Sequence, residues 1–315
     1  MNLRKTICVV IPAYKVSRYI LQVIGSIGPE VKKILVVDDA CPEKSGQILI
    51  ELCRDPRVEV IFHEKNLGVG GSMKTGYRRA LDLGAEVIVK IDGDGQMDSS
   101  KISQLINPIF ANQSDYTKGN RFFEVEAVQQ MPKIRILGNL GLTFMTKFST
   151  GYWNIFDPNN GFTAIRGSIL KKLDLDKIDD SYFFESDMLF RLNLVQARVS
   201  DVPLAAIYGD ETSNLSVKRV LIEFPLKHTR NYIKRIAYNY YVRDFNLASI
   251  ELPLGVALTG FGFVLGAYSW IHGMITGTPT ATGTLVLIAM SALAGLQLIL
   301  AFLSYDTNDA GKPRN

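Results

Sequence analysis

The chain has 315 residues, 47% of them hydrophobic, enough for one large domain or two modest ones around a packed core. A formal net charge of only +4, with no Lys/Arg tract interleaved with aromatics, argues against a nucleic-acid binder. Cys8, Cys41 and Cys53 make no Cys-x-x-Cys, and His63, His228 and His272 are scattered, so neither a disulfide framework nor a zinc site is indicated.

Met1 to Lys5 leads straight into the apolar run Ile7 to Ile11, too short for a cleaved signal peptide, so the catalytic part is expected in the cytoplasm. Short β-branched runs then alternate with helical periodicity, the pattern of βαβ units around a mainly parallel sheet. Strands are expected at Ile7–Pro12, Ile34–Asp38, Val58–Phe62, Glu86–Asp92 and Tyr116–Gly119. Between them Ser17–Ile27, Glu43–Cys53, Ser72–Leu83 and Ser99–Phe110 carry apolar residues at three-to-four spacing. Lys133–Ser149 and Glu185–Val195 predict helices, and Gly161–Arg166 and Val199–Ile207 strands. Nearly all-apolar strands suit a sheet covered on both faces, where ligands bind beyond the carboxyl ends.

After Ile207 the composition changes. Ser216 to Asp244 holds seven Lys/Arg (Lys218, Arg219, Lys227, Arg230, Lys234, Arg235, Arg243) against two acids, interleaved with apolar residues. Two readings stand for this stretch: a helix lying on an anionic membrane surface, or a solvated face of a globular helix. Leu252 to Tyr305 contains no Asp, Glu, Lys or Arg. Within it, Leu252–Ile271 (20 residues) and Thr284–Ser304 (21 residues) flank a Gly/Pro/Thr-rich turn, and each spans roughly 30 Å as a helix. A transmembrane hairpin is predicted, and the Lys/Arg excess before it, with Lys312 and Arg314 after it, puts both ends on the cytoplasmic side. The expected division is a globular domain over 1–215, a basic amphipathic region over 216–250, two transmembrane helices over 251–305 and a tail over 306–315.

The sharpest chemical signal is Lys90-Ile91-Asp92-Gly93-Asp94-Gly95-Gln96. In an extended chain, residues i and i+2 project to one side, so Asp92 and Asp94 would present paired carboxylates at the ligand end of the sheet. Such hard oxygens suit Mg2+ or Mn2+ shared with substrate phosphates, where the metal would neutralise charge on a diphosphate leaving group. An EF-hand would need Gly and Glu where Met97 and Ser103 stand. Asn66 to Gly76 is glycine-rich and reads either as a phosphate cradle or as a tight strand-to-helix turn. Met73 before Lys74 disfavours a Walker A loop, and Pro12-Ala13-Tyr14-Lys15 after the first strand disfavours a dinucleotide fingerprint.

An ordered set of motifs runs through nearly the whole chain: Val10-Ile11-Pro12-Ala13-Tyr14, Val36-Val37-Asp38-Asp39, Asn66-x-Gly68-x-Gly70, Asp92-x-Asp94-x-Gln96, Gly119-Asn120-Arg121, Asp157-x-x-x-Gly161-Phe162 and Phe184-Glu185-Ser186-Asp187. With the basic region and two spans behind it, this set resembles the family 2 inverting glycosyltransferases of GT-A fold. More narrowly, it is similar to bacterial polyprenyl-phosphate glycosyltransferases related to dolichol-phosphate mannose synthase. The resemblance implies a Rossmann-like α/β catalytic domain with C-terminal amphipathic helices and a two-helix transmembrane hairpin.

The resemblance also implies roles for single residues. Pro12 and Tyr14 would flank a base, Asp39 would accept a hydrogen bond from it, and Asn66, Gly68, Lys74 and Asp92 would complete the nucleotide site. Asp92, Asp94 and Gln96 would surround Mg2+ or Mn2+, with Asp94 and Asp157 carried over as catalytic. Arg121, Arg135 and Asn139 would hold an acceptor phosphate, for which an Arg fork is apt. Glu185 and Asp187 would line the sugar pocket with Asp157, whose part as base, sugar-orienting group or stabiliser of positive charge stays open. Asp38 and Asp187 have a competing reading as helix braces, and Arg135 as a surface residue. Met97-Asp98-Ser99 departs from the His and Pro that relatives often carry there.

The expected activity is inverting transfer of a hexose, glucose favoured, from a nucleotide-diphosphate sugar such as UDP-glucose to undecaprenyl or another polyprenyl phosphate, in the bacterial inner membrane. A processive polysaccharide synthase and a non-catalytic nucleotide-sugar sensor are the alternatives. The former usually carries Gln-x-x-Arg-Trp, absent here. Ala289, Ser291, Ala292, Ala294 and Gly295 offer small residues for helix contact, and hence for a homo-oligomer.

Overall fold

A computed structural model describes residues 6–123, 133–158, 160–204 and 217–309. The chain divides into two compact units, residues 1–233 with 311–315, and residues 234–310.

The first unit is built on a seven-stranded sheet of order β3-β2-β1-β4-β6-β5-β7. Its strands are β1 (Ile7–Ala13), β2 (Val31–Asp38), β3 (Val58–Phe62), β4 (Val87–Lys90), β5 (Tyr116–Asn120), β6 (Thr163–Arg166) and β7 (Val199–Pro203). β1 to β4 pair in parallel, β6 runs antiparallel to both β4 and β5, and β7 is parallel to β5. Only β6 is therefore reversed, and its start lies at the end of the sheet where the other strands finish.

Strand alternation supplies two cores. Val9 and Ile11 point into a cluster with Val23 and Ile24 of α1 (Ile20–Gly25) and with Ile102, Leu105 and Ile109 of α4 (Ile102–Phe110). Cys8 and Val10 point the other way, to Met73 and Tyr77 of α3 (Gly68–Asp82) and Met188 and Leu192 of α7 (Phe184–Leu194). The remaining helices of this unit are α2 (Ser45–Leu52), α5 (Lys133–Thr150) and the short α6 (Gly167–Leu170). Each buried Val, Leu or Ile contributes about 1.5–3 kcal/mol, which is why the apolar strands dominate the layer order.

Several expected boundaries move, three of them instructively. α1 is shorter than Ser17–Ile27, and β7 is described only to Pro203, the stretch 205–207 lying outside the described residues. α3 starts at Gly68 instead of Ser72, because the glycine run is itself the first turn of the helix. The amides of Gly70 and Gly71 donate to the Asp180 carbonyl at 2.9 and 3.3 Å, and a Cβ on Gly70 would overlap the Asp179 carbonyl oxygen.

Helix α8 (Val217–Ala237) carries the basic stretch, of which Lys218 and Arg219 have side chains outside the described residues. Up to Ile233 it packs with the first unit, past the expected boundary at 215: Lys227 pairs with Asp179 at 2.5 Å and Asn231 donates to Asp187 at 3.0 Å. The Phe224 and His228 rings meet Phe183, and His228 bonds Ser149 at 2.7 Å. Ile222, Leu226 and Ile233 of the same helix stay exposed.

The second unit is a helical hairpin of α9 (Leu247–Thr276) and α10 (Thr282–Asp309). Asn246 starts α9 with a capping box, its side chain accepting from the Ala248 amide at 3.0 Å, and Gly277 at φ +67° ends it. Both helices are long and apolar enough to cross a membrane, and only 11% and 17% of their most apolar stretches is buried. A core helix of a soluble protein would be covered instead. A Cβ on Gly255 would stand 2.9 Å from the Gly295 carbonyl oxygen, and one on Gly262 3.1 Å from the Ala292 amide. The small residues expected to serve an oligomer thus let the two helices of one hairpin nest. At its base Arg235 grips Asp306 at 2.7 and 2.9 Å, and the Tyr240 hydroxyl donates to the same carboxylate at 2.7 Å.

Candidate active site

Loops at the carboxyl ends of β1, β2, β4 and β5, and at the start of β6, gather most of the expected residues at one rim. Pro12 sits in β1 opposite Val37, and Tyr14, just past the strand, is exposed with the Lys15 ammonium 5.5 Å from its ring centroid. Asp38 braces the turn into α2, accepting from the amides of Cys41 at 2.8 Å and Gly46 at 2.6 Å.

Asp39 differs from expectation. Its oxygens accept from the amides of Leu67 and Gly68, each at 2.8 Å, and the His63 ring lies 2.7 Å away, with its other nitrogen 2.9 Å from the Thr75 hydroxyl. The carboxylate therefore fastens the β3–α3 loop to the end of β2, and a base would have to share an oxygen already in use. Asn66 is spent locally, accepting from the Gly68 amide at 3.1 Å. Lys74 is corrected likewise: its buried ammonium ion-pairs with Asp180 and donates to the Ile178 carbonyl at 3.2 Å, so it ties α3 to the 178–181 loop. Since the Asp180 carbonyl takes the helix N-terminus, the tight-turn reading of the glycines holds there, not the phosphate cradle.

At the centre of the rim β4 stops at Lys90, two residues before the expected end. Asp92 and Asp94 thus sit in a turn, with Gly95 at φ +79° and Asp94 accepting from the Gln96 amide at 3.0 Å. The extended-strand argument for the pair is replaced by turn geometry. Lys90 is 1% exposed, and its ammonium lies 2.7 Å from Asp92 and 3.1 Å from Glu185. Burial by itself pulls this lysine down, but the two carboxylates outweigh it and hold it above its ordinary range. Gly161 closes the arrangement, since a Cβ there would overlap Asp92 and Lys90.

Among the described residues no three His, Cys, Asp or Glu side chains form a metal cluster. Two turn carboxylates and an amide are a donor set for a hard cation that takes its remaining ligands from phosphate and water, and Mg2+ or Mn2+ fits that description.

On the β5–β6 side, Arg121 follows β5 and meets Asp157 in a two-point fork, Nε to Oδ2 at 2.7 Å and Nη2 to Oδ1 at 3.0 Å. Asp157 is 2% exposed. The side chains of Arg135 and Asn139 lie outside the described residues. Glu185 reaches the site through Lys90, whereas both oxygens of Asp187 are engaged elsewhere. It accepts from Arg191 at 2.9 Å, the Asp179 amide at 3.0 Å and Asn231 at 3.0 Å, the helix-brace reading.

Sequence reasoning missed Lys90, His63, Lys118 and Asp201. Lys118 is buried in β5, donates to the Asn160 carbonyl, and is pushed by burial down to about 8. For the two lysines the available signal was a basic residue inside a strand expected in the covered sheet, because a buried ammonium demands polar partners.

Similarity to known proteins follows the same layout. Relatives include the UDP-N-acetylglucosamine–dolichyl-phosphate N-acetylglucosaminyltransferase of Methanococcus voltae, 30% identical over 220 residues (65% of this chain, 87% of the relative). The polyprenol monophosphomannose synthase of Mycolicibacterium smegmatis is 30% identical over 202 residues (62% and 75%). The undecaprenyl-phosphate mannosyltransferase of Micrococcus luteus is 27% identical over 202 residues (63% and 82%). Among solved structures, glucosyl-3-phosphoglycerate synthase from Mycobacterium tuberculosis with bound UDP superposes with a TM-score of 0.55 at 17% identity, covering 73% of this chain and 80% of that one. The same enzyme with Mn2+, UDP-glucose and phosphoglyceric acid gives 0.54 at 16% identity (73% and 79%). These structures share the GT-A fold. The family pattern described as "Glycosyl transferase family 2" matches residues 8–174, more than half of the sequence, and the chain belongs to that family.

Proposed function

We propose that the chain transfers a hexose from a nucleotide-diphosphate sugar to a polyprenyl phosphate, with inversion, at the cytoplasmic face of a bacterial inner membrane. The observation that carries the acceptor side is the buried Arg121–Asp157 fork on the same sheet rim as Asp92 and Asp94. The fork with Asp157 holds the guanidinium flat, in the planar geometry that suits recognition of a phosphate. Relatives whose names state dolichyl-, polyprenol- or undecaprenyl-phosphate chemistry support a lipid phosphate, as do two exposed helices of 30 and 27 residues. Exposed Ile222, Leu226 and Ile233 beside Arg230 suit an anionic membrane surface. The proposed donor is UDP-glucose, with N-acetylglucosamine and mannose, the sugars of the relatives, as the competing arms.

A phosphate monoester is mostly dianionic at pH 7, its second pKa being about 6. One of its oxygens forms the new bond to the anomeric carbon while the bond to the diphosphate breaks on the opposite face, so no base is required. Asp157, engaged on both oxygens, orients Arg121 rather than taking a proton. Asp92, Asp94 and Gln96 would hold Mg2+ or Mn2+, which would supply positive charge to the departing diphosphate. Glu185, set by Lys90, would receive sugar hydroxyls, and Pro12 and Tyr14 would take the base. Positioning and charge stabilisation carry the rate.

The test is transfer of radiolabel from UDP-glucose, UDP-N-acetylglucosamine and GDP-mannose to short-chain polyprenyl phosphate by the full chain in detergent. Transfer is expected with Mg2+ or Mn2+, lost with chelator and in Asp94→Ala. No lipid product from any donor, or full turnover by Asp94→Ala, would overturn the reading.

A further inference from the structure

Asp201 lies in the strand β7 at the sheet edge, and one of its oxygens, Oδ2, accepts from the Asn120 side-chain amide at 2.7 Å and from the Phe156 backbone amide at 2.8 Å. Asn120 immediately precedes Arg121, and Phe156 immediately precedes Asp157. A single atom thus clamps the two chain segments that carry the fork. We propose that Asp201 is a positioning residue for acceptor transfer, fixing the separation and direction of Arg121 and Asp157 through the residues before them. The inference rests on the proposed reading that this fork receives the acceptor phosphate.

Neither clamped group is free to turn away. The Asn120 carbonyl oxygen accepts from the Phe122 amide at 2.9 Å, which fixes which end of that side chain faces Asp201. The Phe122 and Phe156 rings meet edge to face with centroids 5.4 Å apart, directly beside the clamp. Thr143 donates to the Phe156 carbonyl at 2.9 Å and Asn154 to the Val199 carbonyl at 2.7 Å. Those two bonds hold the Asp157 loop from elsewhere, while the Asp201 clamp joins it to the Arg121 side together with the ring contact and the fork itself.

The clamp is kept at a cost. The other oxygen, Oδ1, is buried and has no hydrogen-bond partner, a state that ordinarily costs about 1–3 kcal/mol. Burial pushes the Asp201 carboxyl up to about 6, against the opposing pull of the Phe156 and Asn120 bonds and the Lys118 charge. A residue needed only to fill space at a sheet edge would not retain a half-satisfied carboxylate. Such a cost is expected where geometry at a reacting centre depends on it.

Full-length Asp201→Ala, Asp201→Asn and Arg121→Ala are compared by melting temperature and by separate KM and kcat for donor and lipid acceptor. Asp201→Ala is expected to lower kcat/KM for the lipid phosphate on the order of 10- to 100-fold, leaving donor KM unchanged, as misplacement by about 1 Å does. Asp201→Asn, whose carbonyl oxygen accepts both bonds, is expected to recover most of that loss. Unchanged acceptor kinetics in Asp201→Ala, a parallel shift of donor and acceptor KM, or an Asn variant as impaired as Ala would each overturn the proposal. If the Ala variant does not fold, Asn120→Ala, which removes one arm of the clamp, is read by the same criteria. Should Arg121→Ala turn over normally, the acceptor assignment itself fails; if Arg121→Ala is impaired and Asp201→Ala is not, only the clamp fails.

Discussion

Lys90→Met tests whether the cation under the rim is coupled to the proposed metal site. The ammonium is 1% exposed and holds Asp92 at 2.7 Å and Glu185 at 3.1 Å. Removing one partner of a buried pair costs about 3–5 kcal/mol, and the low end applies because the Asp92 side chain is 31% exposed. At about 2–4 °C per kcal/mol for a unit of this size, the melting temperature should fall by roughly 6–12 °C. The same ammonium competes with a dication for Asp92. Unit charges 4 Å apart at an effective dielectric of 20 interact by about 4 kcal/mol. With solvent screening about a third of that survives, so the variant should bind Mn2+ roughly tenfold more tightly. Adding Mn2+ should restore part of the lost stability, while turnover stays depressed because Glu185 has lost its anchor. Thermal melts with and without MnCl2, and a Mn2+ titration of transfer, measure both. A melting temperature within 2 °C of wild type (the scale of about 1 kcal/mol) together with an unchanged Mn2+ response would refute the coupling.

His228 is 4% exposed, and burial lowers it from 6.5 to about 4. The folded protein keeps it neutral, so its contribution is complete above pH 6.5 and is lost as pH falls towards 4. Between pH 7 and 5 that amounts to about 2 kcal/mol, and melts of His228→Gln should show a correspondingly flatter acid limb; identical slopes would count against it. Gly70→Ala should cost about 1–3 kcal/mol, because its Cβ overlaps the Asp179 carbonyl and disturbs the 2.9 Å bond to Asp180; a melting temperature equal to wild type would show that the contact yields freely. Arg235→Met should destabilise the hairpin unit by about 3–5 kcal/mol by leaving the buried Asp306 charge without its guanidinium, and adding Asp306→Leu should recover most of it in detergent unfolding; a double variant no better than the single would argue against the charge explanation.

The sheet was legible where side chains alone decide: β3 falls on its expected bounds, and β1, β2 and β5 shift by at most three residues, since runs such as Ile34 to Val37 bury on both faces. The two long apolar helices were legible for the same reason, uniform hydropathy needing no partner to be recognised. Turn chemistry was read less well. The expected strand ends at Asp92 and extended geometry is expected to pair it with Asp94, but Gly95 and the Asp94–Gln96 bond impose a turn, which periodicity does not report. Asp39, Lys74 and Asp187 bear motif-matching charges whose partners, Leu67, Asp180 and Asn231, are fixed only by tertiary packing. The reversal of β6 has no local signature at all. Thr163 to Arg166 is as β-prone in one direction as in the other, and its register against β4 is a property of the whole sheet.

That reversed strand divides one surface into two halves. β1 to β4 and their loops carry the residues proposed for nucleotide and metal, while β5, β7 and the approach to β6 carry the Arg121–Asp157 fork and its clamp. The two halves join along a single antiparallel seam, four residue pairs long, from Val87–Arg166 to Lys90–Thr163. Lys90 and Gly161 stand at that seam: Lys90 reaches Asp92 on one side and Glu185 on the other, and Gly161 leaves no room for a Cβ beside Asp92 and Lys90, so a change at either is felt in both halves.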